Sequence, residues 1–121
     1  MRSPSTRVLA LAAAVVSLVL ASAFLTDEER PYVVTAIDYH FHDAHPTLPI
    51  GPGRDLIVRN QGRNVHNVTI PALGFSRDVR PGVEVVIRSI GDRLEPGRYE
   101  LFCQIHLASF GMKGVIVIAS E

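Results

Sequence analysis

The chain has 121 residues, 12 basic and 12 acidic side chains, one cysteine and no tryptophan. Balanced charge without a basic run argues against a nucleic-acid partner. A lone cysteine excludes an internal disulfide, and the length suits one domain of ordinary size.

The chain begins with Arg2 and Arg7, continues through an uncharged stretch from Val8 to Thr26, and then meets Asp27, Glu28 and Glu29. A positive start, an apolar run and the pattern Ala21-Ser22-Ala23 predict a signal peptide over residues 1–23, cut after Ala23. The alternative is an uncleaved anchor over residues 8–25, whose 18 residues stand at the lower limit of a membrane span. Both readings place the rest outside the cytoplasmic membrane: periplasmic, at the cell surface or secreted. Loss of Arg2 and Arg7 leaves 10 basic against 12 acidic groups. Residues 24–31 read as a linker and 32–121 as the folded domain.

Within that domain the odd positions Val33, Thr35, Ile37, Tyr39 and Phe41 are mostly apolar, and the even ones include Asp38, His40 and His42. A period of two predicts one strand from Tyr32 to Phe41 with the odd side buried. Pro46, Pro49, Gly51, Pro52 and Gly53 make a turn-rich connection. Leu56 and Val58 share a face of the next strand, which Gln61-Gly62 closes. Val65 to Ile70 is a short strand stopped by Pro71. Phe75 to Val79 reads as an edge strand before the Pro81-Gly82 turn. Val83, Val85 and Ile87 then share a face. After Pro96-Gly97, so do Tyr99, Leu101 and Cys103, and Val115 to Ala119 is a last apolar strand. About seven short strands without an amphipathic helix predict an antiparallel two-sheet sandwich.

The chemistry concentrates between the last two strands. Cys103 is followed by His106 and then by Met112. A thiolate, an imidazole and a thioether in one loop are soft ligands, and two His, one Cys and a weak axial Met make a blue-copper centre. Alone, Cys103 would read as a small buried hydrophobe. The loop supplies three of the four groups, so a second histidine must come from elsewhere. The candidate is His66, in His66-Asn67 at the start of a short strand, 37 positions before Cys103. By itself it would pass for a core histidine.

These motifs, His66-Asn67 and Tyr99-x-Leu101-x-Cys103-x-x-His106 leading to Gly111-Met112-x-Gly114, resemble the cupredoxin family. The likeness is to small plastocyanin-, azurin- and pseudoazurin-like proteins, and it covers roughly Tyr32 to Ala119. It implies a Greek-key β-sandwich and one copper ion, cycling between Cu(I) and Cu(II), on His66, Cys103, His106 and Met112. Five residues separate His106 from Met112, one more than in the plastocyanin pattern, which leaves the axial bond length open. The resemblance further implies that the Asn67 side chain ties the two ligand segments together near the sulfur. It also implies that redox protein partners dock near His106, Leu107 and Phe110, over an apolar patch extended by Ala108, Pro71 and Leu73. The implied function is a one-electron shuttle and not an enzyme; the rival is an extracytoplasmic copper carrier or buffer that delivers the metal to another protein. His40, His42 and His45 are a candidate second metal site, against the plainer reading of a solvated polar face.

Overall fold

The computed structural model describes residues 30–42, 44 and 48–120. The signal or anchor segment expected over residues 1–25, most of the linker and His45 lie outside them. Among the described residues no helix is long and apolar enough to cross a membrane.

Eight strands form two four-stranded sheets. The first sheet has the order β2 (His40–His42), β1 (Tyr32–Ile37), β3 (Leu56–Asn60), β6 (Glu84–Ile87). The second has the order β5 (Phe75–Val79), β4 (His66–Ile70), β7 (Gly97–Phe102), β8 (Lys113–Ile118). Strand pairs are antiparallel except β1 with β3, which run parallel from Tyr32↔Leu56 to Ala36↔Asn60. Two one-turn helices, α1 (Ile90–Arg93) and α2 (Leu107–Phe110), and a 3₁₀ turn over Pro71–Leu73 complete the chain. The expected two-sheet sandwich is the observed fold, and Phe75 to Val79 is indeed an edge strand.

The core lies between the sheets. Val34, Leu56, Val58 and Ile87 come from one sheet; Val68, Ile70, Leu101 and Ile116 come from the other. In β1, β3 and β6 alternate residues enter this layer, as the pleat requires.

One expected face is corrected. In β1 the even positions Tyr32, Val34 and Ala36 are buried, while Val33, Thr35 and Ile37 are half-exposed. The chain then turns at Asp38-Tyr39, with Asp38 in the left-handed region at φ 52°. The two-residue turn pairs Ala36 with Phe41. Cross-strand partners share a face, so the buried set passes from even numbers in β1 to odd numbers in β2. Val33 and Ile37 are as apolar as Val34 and Ala36, so periodicity alone could not choose the side. Val83 also departs from its expected partners: Val85 and Ile87 are buried, but Val83 sits before β6 and is 47% exposed.

Candidate metal centre

His66 opens β4, after a loop over residues 61–65 that follows Asn60, the last residue of β3. That loop is shaped by the buried Asn60 side chain. Its amide nitrogen donates to the carbonyls of Asn64 and Val79, both at 2.8 Å, and its oxygen accepts the Gly62 N–H at 2.9 Å. Gly62 is needed for space. A Cβ there would lie 3.3 Å from the Asp38 nitrogen and 3.4 Å from both Asn60 Oδ1 and His66 Nε2.

Cys103 follows β7 directly and is fully buried. From it the chain makes a tight knot. His106 N–H donates to the Cys103 carbonyl at 3.2 Å, and Cys103 N–H donates to the Met112 carbonyl at 3.0 Å. The His106 carbonyl accepts the Phe110 N–H at 3.0 Å and the Met112 N–H at 3.5 Å. Between His106 and Met112 the loop forms helix α2, closed by Gly111 at φ 63°, whose N–H bonds the Leu107 carbonyl at 2.8 Å. A left-handed glycine is the usual way to end such a turn. Met112 is buried to 1% exposure, its backbone fixed to both Cys103 and His106.

The fold brings these segments into contact. His66 Nδ1 lies 3.2 Å from His106 Nδ1, and Cys103 Sγ lies 3.4 Å from His106 Nδ1. One donor atom from each of the three residues falls within 4.8 Å of the others. An ion with bonds of about 2.0 to 2.3 Å bridges donors about 3 to 4 Å apart, and both measured pairs have that spacing. Two imidazole nitrogens aimed at each other beside a buried sulfur make a poor apolar core and a good soft-metal cradle. Burial holds the His66 imidazolium below its ordinary pKa, His106 adds to this and Asp38 opposes it. The ring is therefore neutral near pH 7, the form that binds a metal.

Asn67 braces the two ligand segments. Its backbone N–H donates to Cys103 Sγ at 3.2 Å, and its side-chain oxygen accepts the Gln104 N–H at 3.2 Å and the Thr69 hydroxyl at 2.6 Å. Its amide nitrogen donates to Asp78 at 2.9 Å and Ser76 at 3.2 Å. The N–H fixes the sulfur, and the side chain fixes the residue after it.

Against protein families, residues 9–118 match the cupredoxin-like domain. The chain belongs to the cupredoxin-like family. Copper is the metal of that family, and His66, Cys103 and His106 form a site of the right composition for one copper ion. Among solved structures the chain resembles an oxidized amicyanin variant at 18% identity and TM-score 0.56, covering 80% of this chain and 88% of that one. It resembles a reduced Cu(I) form of another amicyanin variant at 19% identity and TM-score 0.56, with the same coverage of 80% and 88%. A Cu-containing nitrite reductase from Thermus scotoductus SA-01 aligns at 20% identity and TM-score 0.59, over 75% of this chain but 23% of that one. At these identities the likeness concerns the fold. Comparison with curated proteins gives no match.

His40 and His42 project from the exposed side of β2, opposite Ile37 and Thr35, with ring centroids 5.9 Å apart. The single group of three or more ligating side chains among the described residues is that of His66, Cys103 and His106. Sequence reasoning missed Asn60, Gly62 and Tyr39. From the sequence, Asn60-x-Gly62 reads only as a strand-ending turn, and periodicity places Tyr39 within a strand. The Tyr39 ring instead stacks on Phe110 and meets His106 edge-on.

Proposed function

We propose that this chain is an exported copper protein that passes single electrons between redox partners. His66 Nδ1, Cys103 Sγ and His106 Nδ1 would hold the ion, and Met112 would add a thioether. The convergence of two Nδ1 atoms and one buried Sγ carries the reading. Bound copper supplies a reversible one-electron couple. The chain's own part is to keep the donors still. His66 is set by the Asn60 loop, Cys103 by β7 and Asn67, and His106 by the knot around helix α2. Donors fixed from two strands and one short turn need little rearrangement when the charge of the ion changes.

Residues 1–23 act in this proposal as an export signal, or residues 8–25 as an anchor, and place the domain of residues 32–121 in an extracytoplasmic compartment. Partners dock at the end of the sandwich around His106, half-exposed Leu107 and Phe110, which is 52% exposed. Exposed apolar groups beside a redox centre suit a small, transient interface. No enzymatic activity is proposed, and that of the nitrite reductase belongs to a chain of which this one spans 23%. His40 and His42, exposed on β2, are with His45 a weaker candidate for a second metal position.

The test is to add Cu(II) to the purified domain and record absorption and electron-spin spectra, with Cys103→Ser as control. A thiolate-to-copper band that bleaches and returns on reduction and oxidation is expected. A site that holds Cu(I) and does not cycle identifies a carrier. A colourless protein that binds no copper overturns the proposal.

A further inference from the structure

His106 is bracketed by three rings. His66 meets it at 69°, Tyr39 at 66° and Phe110 at 64°, with centroids 5.1, 5.0 and 5.9 Å away. Tyr39 and Phe110 themselves stack face to face, 3.6 Å apart and 2° from parallel. Tyr39 comes from the β1–β2 turn of the first sheet; the other three rings belong to the second sheet and its loop. The contact therefore closes the seam between the sheets beside the candidate centre. The left-handed Asp38, at φ 52°, carries the chain into this turn just before Tyr39. Helix α2 and its glycine cap set Phe110 on the other side.

We propose that Tyr39 is a positioning residue for His106. Stacked with Phe110, it walls the imidazole and keeps Nδ1 aimed at His66 Nδ1 and Cys103 Sγ. Edge-to-face contacts favour one ring orientation over its rotated alternatives. A half-exposed ligand on a loop otherwise has solvent to turn into, and the stacked pair fills that space. The pair is also part of the contact face through which a partner meets His106. The electron passes from the reduced centre to an oxidised one-electron acceptor, and Tyr39 makes and breaks no bond in that step. This inference rests on the copper reading above, but its first readout does not need the metal.

The experiment compares the wild-type domain with Tyr39→Leu, Tyr39→Phe and Phe110→Leu. In metal-free protein, relaxation-dispersion NMR of the His106 ring reports rotamer exchange. The wild type and Tyr39→Phe should show one orientation. In Tyr39→Leu the population of turned-away ring should rise about two- to tenfold, the range that an aromatic pair carries, and Cu(II) affinity should fall only in proportion to the aligned fraction that is lost. Phe110→Leu should show a smaller change of the same sign. Electron self-exchange between reduced and oxidised copies should slow in both Leu variants. A merely structural role would lower the melting temperature of Tyr39→Leu and leave ring exchange and affinity at wild-type values; that result overturns the proposal. So does a Tyr39→Phe variant as mobile as Tyr39→Leu, because it would place the effect in the hydroxyl. A wild-type protein lacking the thiolate-to-copper band would overturn the copper reading alone, since His106 ring exchange is read without metal.

Discussion

At the scale of single residues, the candidate centre is braced by side chains outside the proposed ligand set. Asn67 is buried to 4% exposure and engages Gln104, Thr69, Ser76 and Asp78. Asn67→Ala leaves the Gln104 N–H and the Asp78 carboxylate without that partner. Both sit on exposed residues that water can reach, so each lost hydrogen bond costs about 0.5 to 1.5 kcal/mol, which urea unfolding of the metal-free domain will show. The same variant should shift the visible band, because the residue next to the sulfur is freed. Gly62→Ala presses a methyl group against the Asp38 backbone and His66, and overpacking of this kind costs about 1 to 3 kcal/mol. Its Cu(II) affinity should fall, since His66 is among the atoms that must give way; titration checks this. His66 also makes the metal-free fold sensitive to acid. Its folded pKa is lowered, so the unfolded chain takes up the proton first as pH falls through about 6.5. Stability should therefore be full above that pH and decline below it, until the folded ring protonates as well. Thermal melts in chelator across pH 5 to 8 will test the sign.

At the scale of elements, two turns decide what the strands present. The Asp38-Tyr39 turn moves the buried set from even to odd positions, so His40 and His42 face solvent and Tyr39 reaches His106. This could not be read from the sequence, where β1 is apolar on both sides. By contrast, β7 was legible, because Tyr99 and Leu101 alternate with Arg98 and Glu100. Away from the candidate ligands, α1 packs its Gly91 on the turn at Gly51. A Cβ on Gly91 would fall 2.1 Å from the Gly51 carbonyl oxygen. The same contact is pinned by the Gly53 N–H donating to Asp92 at 3.1 Å. Gly91→Ala must displace backbone, so it should lower stability by at least about 1 to 3 kcal/mol. It should also leave the visible spectrum of the copper-loaded protein unchanged, because neither element touches the ligands. A melt and a spectrum on one sample separate the two effects.

At the scale of the whole molecule, the sandwich brings residues 37 positions apart in sequence to donor spacing. The ligand geometry exists only in the folded chain, so copper should bind the native state preferentially. At a free ion concentration one hundred times the dissociation constant, that adds about 2.7 kcal/mol to stability. Scanning calorimetry should show the melting temperature rise on adding copper. His66→Ala and Cys103→Ser should each abolish most of the rise, although one residue opens β4 and the other follows β7.

The sequence by itself determined the sandwich class, the single-domain length and the loop that gathers Cys103, His106 and Met112, because those are local properties: alternation, turn residues and short spacings. Through its motifs it also pointed to His66 and Asn67. Only tertiary structure decided that the two Nδ1 atoms meet, that Asn60 and Gly62 shape the loop before His66, and that Tyr39 walls His106. Each of these is a contact between distant segments, fixed by strand register and by which of two apolar faces turns inward, and neither is written in the order of neighbouring residues.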